Sequence, residues 1–222
     1  MAMSTAAPTP RSRVTRVPKR GVYDRATIDA ILDEALIAHV GFAVEQQPYV
    51  IPMLLARVGD RVYVHGSTAS RMVRKLAAGV PACLTVTLAD GLVLARSAFH
   101  HSMNYRSVVL LGDAVLVEGA DERAAALEAF TEKLLPGRWD EIRGPDEQEL
   151  KATRVLAMKV SEASAKVRTG GPVDDEEDYA LDTWAGVIPL ALRAGAPEPD
   201  ARLAPGIEPS QAVLDWAAAR GW

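Results

Sequence analysis

Short strand-like runs separated by turn residues constrain the fold of this 222-residue chain more than any other feature. Each run is rich in apolar and β-branched residues, which is typical of strands, and the connections between neighbouring runs are short. Hairpin turns are predicted at Gln46-Gln47-Pro48 and at Ala89-Asp90-Gly91. The predicted strands cover residues 39–44, 49–56, 61–65, 82–88, 92–95, 107–117, 155–160 and 164–168.

Helices are fewer than strands and lie between them. Asp24 is predicted to cap a helix whose apolar residues, from Ile28 to Leu36, share one face. Continuous alternation of strand and helix is missing, so a doubly wound sheet is not expected. The pattern predicts a mainly β fold with packed helices, a closed or partly closed antiparallel barrel. The other predicted helices cover residues 71–79, 121–135, 146–151 and 210–220, and Asp121 is predicted to cap the second of these.

Composition and charge exclude several classes of function. The formal net charge is −4, whereas proteins that bind nucleic acids usually carry a basic excess. The one cysteine, Cys83, cannot form an intrachain disulfide, which favours a reducing setting. No segment approaches about 18 consecutive apolar residues, the length that a membrane-spanning helix needs. We therefore expect a cytoplasmic protein that has neither a nucleic-acid partner nor a membrane partner.

Changes in composition divide the chain into three parts. Residues 1–20 are rich in Ala, Pro, Thr and Arg without periodicity, which predicts a disordered N-terminal arm. Residues 21–190 carry the predicted strands and form one domain. Residues 191–222 contain several prolines and one short helical pattern, and we interpret them as a C-terminal extension.

A strand, a hydroxyl-rich turn and a basic helix follow one another over residues 61–76. A helix start offers unpaired backbone N–H groups and a partial positive charge, both of which suit a phosphate. The same residue types also serve as ordinary helix caps and solvated cations, so this pattern alone leaves both interpretations open. The hydroxyls are those of Ser67, Thr68 and Ser70, and the cations are Arg71, Arg74 and Lys75.

Two further segments carry polar or irregular features beside predicted strands. Asn104, Arg106 and Ser107 offer side-chain donors where a loop enters a buried strand, as a planar, acceptor-rich heterocycle would need. Donors in such a loop can equally satisfy neighbouring protein groups. Pro52 cannot donate to a sheet ladder, so its strand is an edge strand, a bulge or the lining of a site.

The pair His100-His101 is a weak metal signal. Adjacent residues of a strand point to opposite faces, and no carboxylate or third histidine lies at ligand spacing in the sequence. We predict no metal site.

A set of motifs in fixed order carries a family resemblance: Gly41-Phe42, Pro48-Tyr49-Val50-Ile51-Pro52, Tyr63-Val64-His65-Gly66-Ser67, Ser70-Arg71, Asn104-Tyr105-Arg106-Ser107-Val108-Val109, Gly112, Lys166-Val167-Arg168 and Trp184-Ala185-Gly186-Val187-Ile188-Pro189. Together they resemble the FMN-binding split-barrel superfamily, the pyridoxamine 5′-phosphate oxidase-like flavoproteins. The similarity is greatest to the branch of nitroimidazole-reductase-like and flavin-nucleotide-binding proteins.

This resemblance implies a six-stranded antiparallel split barrel that forms a homodimer, with one FMN per subunit at the interface. It implies that residues 63–71 hold the FMN phosphate and that residues 50–53 run along the edge of the isoalloxazine ring. His65 is then the predicted active-site histidine, next to the flavin. The cofactor-binding residues implied in this way are Ile51, Pro52, Met53, His65, Ser67, Ser70, Arg71, Lys75, Asn104, Tyr105, Arg106 and Ser107.

Two departures from the family pattern shape the predicted activity. The position that best matches the phosphate-binding arginine of the oxidase proper is Ile51, and no Arg-x-His element follows residue 190. We therefore predict an FMN-dependent oxidoreductase that is not a true pyridoxamine phosphate oxidase. It would pass hydride or electrons from a nicotinamide donor, NAD(P)H, to a small-molecule substrate. The alternatives are a non-catalytic flavin-binding or sensing protein, and a haem or deazaflavin binder of the same fold.

Overall fold

Antiparallel strands dominate the part of the chain that the computed structural model describes, residues 8–221. The strands are β1 (Gly21–Val22), β2 (Ile37–Val44), β3 (Gln47–Leu54), β4 (Ala56–Val58), β5 (Arg61–Ser67), β6 (Pro81–Leu94), β7 (Ser102–Asp113), β8 (Val115–Leu116), β9 (Thr153–Lys159), β10 (Ala163–Arg168) and β11 (Gly186–Pro189). The α-helices are α1 (Arg25–Glu34), α2 (Arg71–Ala77), α3 (Ala120–Leu134), α4 (Glu147–Ala152) and α5 (Gln211–Ala218).

The strands form two sheets in which every observed pairing is antiparallel. The larger sheet has the order β1-β10-β7-β6-β2-β3, and β11 pairs with the C-terminal end of β6. The smaller sheet has the order β4-β5-β9-β8. The chain passes from β7 in one sheet to β8 in the other through Ala114. This architecture is a split barrel with packed helices, and it confirms the predicted fold class.

Two apolar clusters hold the elements together. The main cluster lies between the two sheets and also takes up the apolar faces of α1 and α2. The second cluster lies on the other face of the smaller sheet, where Phe130 of α3 packs near Tyr63 and Val155. Because successive side chains of a strand point to opposite faces, β5 buries Val62 and Val64 in the main cluster and turns His65 toward α3.

The start of α1 has the predicted cap. The Asp24 carboxylate accepts a hydrogen bond of 2.8 Å from the Thr27 N–H at the start of α1. Asp146 and Glu149 form a reciprocal capping box at the start of α4. The start of α3 differs from the prediction: Gly119, not Asp121, is the N-cap residue. Asp121 lies in the first turn, where its charge complements the helix dipole.

The two predicted hairpin turns had different outcomes. The hairpin predicted around Gln46-Gln47-Pro48 is present, but its two-residue turn is at Glu45 and Gln46, and Gln47 and Pro48 begin β3. The φ angles of 50° and 66° at the turn are typical of a type I′ hairpin. The turn predicted at Ala89-Asp90-Gly91 was wrong, because β6 is one continuous strand with a register shift between Ala89 and Gly91. A Cβ atom at Gly91 would lie 3.1 Å from the Ile188 carbonyl oxygen, so the glycine permits close pairing with β11.

The N-terminal segment contacts the domain. Ser12 is buried, Arg11 forms an ion pair with Glu162, and the Val14 N–H donates to the Tyr23 hydroxyl at 2.8 Å. Residues 8–20 thus differ from the predicted disordered arm, because polar contacts hold a segment that lacks apolar periodicity. Residues 1–7 of that arm and Trp222 of the extension lie outside the described residues. No helix in the described range is long and apolar enough to cross a membrane.

Candidate functional site

The structure brings β3 and the start of α2 together. β3 lies at the end of the larger sheet, which agrees with the edge strand, one of the three interpretations that Pro52 left open. Ile51 and Met53 turn inward against the main cluster, whereas Pro52 is exposed. The Arg71 guanidinium lies 5.1 Å from the centre of the Tyr49 ring, at cation–π distance. The start of α2, predicted for the phosphate, therefore contacts β3, the strand predicted for the flavin edge.

The hydroxyls of the surface formed by β3 and the start of α2 already act as backbone caps. Ser70 is the N-cap of α2, and its Oγ accepts from the Val73 N–H at 3.5 Å. Ser67 Oγ accepts from the Ala69 N–H at 3.2 Å. In both residues the hydroxyl hydrogen remains available to donate to an anion. Arg71 is exposed and Lys75 is half-buried on the same helix, so both cations can reach a ligand at this surface.

The predicted donors of β7 are engaged with protein groups instead. Asn104 donates to the Gly170 carbonyl at 3.1 Å and accepts from Arg168. Arg106 forms ion pairs with Glu34 and Asp90, and its Nη2 donates to each carboxylate, at 2.7 Å and 2.8 Å respectively. These contacts raise the pKa of Arg106 and lower that of Glu34.

The two remaining predicted residues of β7 also lie in regular structure. Ser107 Oγ donates to the Lys166 carbonyl at 3.3 Å, and half-buried Tyr105 pairs with Ala89 and Arg168 in the sheet. Within one chain, β7 is three strand positions from β3, or roughly 14 Å across the sheet. Apart from His65, the structure therefore places the predicted residues in two groups that are separated by the width of the sheet.

His65 lies apart from both groups, at the wall of an apolar cavity of about 530 Å³. Its ring packs edge-on against Phe130 with 4.4 Å between the ring centres. The Nδ1 atom is buried and has no hydrogen-bond partner among the described residues. Burial lowers the pKa of the His65 imidazole, so the ring is neutral at neutral pH and one nitrogen keeps a free lone pair.

The walls of this cavity come from segments that the sequence analysis did not connect with a site. Leu54 ends β3, and the helix α3 and the segment 139–149 close the opposite side. The ion pair between Arg143 and Glu149, at 2.6 Å, stands at the margin and lowers the pKa of Glu149 to about 2. The sequence did carry one signal for this cavity. Apolar residues recur at helical spacing on α3, and some of them are exposed. The large apolar lining residues are Leu54, Leu127, Phe130, Leu134, Trp139 and Ile142.

A third grouping surrounds His100. Asp175 and Asp178, from the acidic run near the C-terminal end of the domain, each place a carboxylate oxygen close to its ring. The potential ligand atoms of the three residues lie within 4.8 Å of one another. Sequence spacing did not reveal these carboxylates. The contact between His100 Nε2 and Asp175, 3.2 Å long, is also an ordinary exposed ion pair when the imidazole is protonated.

Comparison with known proteins identifies the family. Residues 24–167 match the family model described as pyridoxamine 5′-phosphate oxidase, which is more than half of the chain. The chain belongs to the pyridoxamine 5′-phosphate oxidase family. This confirms the resemblance found in the sequence. No curated protein sequence matched the chain significantly.

Two solved structures are similar to this family member over nearly its whole length. The flavocytochrome Anf3 from Azotobacter vinelandii is 45% identical, with a TM-score of 0.89, over 95% of this chain and 98% of that one. A FAD- and haem-binding protein from Mycobacterium smegmatis is 36% identical, with a TM-score of 0.86, over 89% and 97% of the two chains.

A more distant structure shares the fold alone. It is a protein assigned to 5-nitroimidazole antibiotic resistance in Bacteroides thetaiotaomicron, 21% identical with a TM-score of 0.57. The match covers 66% of this chain and 86% of that one.

Proposed function

We propose that this chain is an oxidoreductase that binds a flavin and a haem. The observation that carries the proposal is the buried, unpartnered Nδ1 of His65 at the wall of the apolar cavity. No described protein group forms a hydrogen bond with either ring nitrogen, so the lone pair of the neutral imidazole is free to bind a ligand in the cavity. The two similar structures described above, a flavocytochrome and a FAD- and haem-binding protein, support the same pair of cofactors.

The cavity residues fit a haem. A neutral histidine is a common proximal ligand of haem iron, and the apolar walls suit the face of a macrocycle. The volume of about 530 Å³ lies within the ordinary range of ligand pockets. Arg143 at the margin would hold the haem carboxylates. In this proposal His65 is an iron ligand, which replaces its predicted role as a catalytic group beside the flavin.

The flavin would lie on the surface formed by β3 and the start of α2. Arg71, with the hydroxyls of Ser67 and Ser70, would hold its phosphate, and the backbone of Ile51 to Met53 would border its ring. A homodimer, as the family resemblance implies, would let a second copy bring β7 near the ring, while Arg106 stays paired with Glu34 and Asp90. FMN remains our predicted flavin, and FAD is its alternative.

The two proposed cofactor sites are connected through β3. Pro52 and Leu54 share one face of that strand, because side chains two apart point the same way. Leu54 lines the cavity, so the strand proposed along the flavin continues into the wall of the haem site. When bound, a flavin accepts a hydride and releases single electrons, and a haem accepts single electrons.

The protein side chains would position these groups and exclude water. Phe130 fixes the orientation of the His65 ring, and the apolar walls keep bulk water from the iron ligand. The contact between Arg71 and Tyr49 joins the start of α2, which would hold the phosphate, to β3, which would border the ring. No catalytic base is needed for electron transfer, and we assign none.

The absorption spectrum of the purified full-length protein tests this proposal. We expect flavin bands together with a Soret band, and we expect anaerobic NADPH to bleach the flavin and then reduce the haem. Flavin without a Soret band, after expression with sufficient haem, would contradict the haem assignment. Flavin that NADPH and NADH leave oxidised would favour a non-catalytic carrier, and a colourless protein that binds neither flavin nor deazaflavin would overturn the proposal.

A further inference from the structure

A second cavity, of about 400 Å³, lies at the C-terminal end of β10, away from the His65 cavity. Three cationic residues line it: Lys19, Arg20 and Arg168. The loop 169–173 supplies the other side, with two consecutive glycines at Gly170 and Gly171. None of the described residues that line this cavity is acidic. It is therefore a concave surface of one charge sign.

Arg168 is the buried member of this set. Only 8% of its surface is exposed. Its guanidinium donates to the Asn104 side-chain oxygen and to the carbonyl oxygens of Gly170 and Gly171, at 3.2 Å and 3.1 Å for the two glycines. All these acceptors are neutral. The buried Nε has no partner, and no carboxylate in residues 8–221 lies within 4.0 Å of the guanidinium.

An arginine in this state lacks a counter-ion. A guanidinium stays protonated in proteins, so burial does not remove its charge. Burial and the nearby Arg20 both lower the pKa of Arg168, which means that its surroundings disfavour the cation. A buried charge without a partner is strongly destabilising. Arg106, one strand away, shows the contrast, since it has two carboxylate partners.

We propose that this cavity binds a phosphate or pyrophosphate group, which Arg168, Arg20 and Lys19 would neutralise. Planar guanidinium groups pair with phosphate oxygens in bidentate fashion, and three cations exceed what one carboxylate would need. A Cβ atom built on either Gly170 or Gly171 meets nothing within 4 Å, so the loop leaves open space beside the guanidinium. The charge of Arg168, which no carboxylate in residues 8–221 balances, adds to the attraction of the cavity for an anion.

This choice of ligand rests on the proposed function, because a flavin oxidoreductase uses dinucleotides. Asn104 links Arg168 to the strand predicted near the flavin ring. The shared chemistry is therefore the pyrophosphate of a dinucleotide. It has two sources: the adenylate half of FAD, which FMN lacks, or a nicotinamide dinucleotide that delivers hydride.

A pair of double variants tests the site with inorganic pyrophosphate as the probe. Lys19→Ala/Arg20→Ala removes the two more accessible cations of the cavity. Arg13→Ala/Arg16→Ala removes the same charge from exposed positions of the same segment outside the cavity. By calorimetry of the full-length protein, we expect the first variant to lose about tenfold in pyrophosphate affinity, and the control to lose less than about twofold. Equal losses in both, or no loss in either, would overturn the proposal.

Titrations of the same variants with FMN, FAD and NADPH identify the source. A selective loss of FAD affinity assigns the cavity to the flavin, and a selective loss of NADPH affinity assigns it to the hydride donor. Arg168→Gln should weaken pyrophosphate roughly ten- to hundredfold. If it instead lowers the melting temperature with unchanged affinity, Arg168 only clamps the loop and the proposal fails. If the purified protein contains neither flavin nor haem but still binds pyrophosphate through Lys19 and Arg20, that result supports this site and refutes the proposed function.

Discussion

His65 and the Asn104–Ser107 segment were both predicted to lie beside a flavin, and they differ in how their polar atoms are satisfied. Asn104 and Arg106 have protein partners for most of their donors, so they serve the fold first. His65 has a buried nitrogen without a partner beside an apolar cavity. We therefore propose a ligand at His65 before one at these donors, because an unsatisfied buried group is costly and a donor that has a partner is not. Arg168 extends the same reasoning to a charge.

The largest expected effect concerns the packing that holds the His65 ring. Phe130→Ala removes a buried ring that contacts His65 edge-on, and it should lower the free energy of unfolding by about 3–5 kcal/mol. Urea denaturation measures this. Phe99→Ala is the matched control, because Phe99 is 89% exposed and its loss should change stability by less than about 0.5 kcal/mol. Similar costs for the two variants would show that α3 does not pack as described.

A smaller effect is expected at the surface formed by β3 and the start of α2, which we propose holds the flavin phosphate. Arg71→Ala should weaken FMN binding roughly ten- to hundredfold, because a charge-assisted phosphate contact is lost. Fluorescence titration of the flavin measures the affinity. His100→Ala, which removes a side chain outside both proposed cofactor sites, should leave it unchanged. Equal FMN affinities in the two variants would contradict the placement of the phosphate at Arg71.

Arg106 separates a structural role from a ligand-binding role. Arg106→Gln breaks ion pairs to two carboxylates that then face each other, and we expect a loss of about 1 kcal/mol in stability. Flavin affinity should change less than about threefold if the side chain serves the fold. Glu34→Gln removes one partner and provides a control for the ion pairs. A large loss of flavin affinity at unchanged stability would reverse our view of this segment.

The smallest effect is a pH dependence of the same ion pairs. Arg106 lowers the pKa of Glu34 in the folded protein, so the unfolded state binds more protons as the pH falls. The stabilisation is complete above the unfolded pKa of about 4.3 and is lost as the pH falls through the lower folded value. Denaturation of the wild type and of Glu34→Gln between neutral pH and acid measures it. The stability difference between the two should shrink at acid pH, and a constant difference would contradict the ion pair.

The fold was largely predictable, because it depends on local patterns. Alternation and turn residues located most strands, and the cap Asp24 located the start of α1. The error at Ala89-Asp90-Gly91 has a physical cause, since a glycine there meets the close approach of β11 rather than forming a turn. That contact joins residues about a hundred positions apart, and a local pattern does not contain it.

The site was less predictable for the same reason. The sequence singled out His65, but the walls around it come from α3 and the segment 139–149. Likewise, Asp90 was interpreted as a turn residue and proved to be a partner of Arg106. Whether a donor is free or engaged depends on which side chains the fold brings to it.

Haem binding by His65→Ala tests the central claim most directly. His39→Ala, which removes an exposed histidine of β2, in the other sheet from His65, is the matched control for haem binding. Each purified protein is titrated with haem, and the Soret band and the flavin bands are recorded together. We predict that His65→Ala loses the Soret band of the ligated haem and keeps its flavin, while His39→Ala behaves as the wild type. An unchanged haem spectrum and affinity in correctly folded His65→Ala would contradict the account.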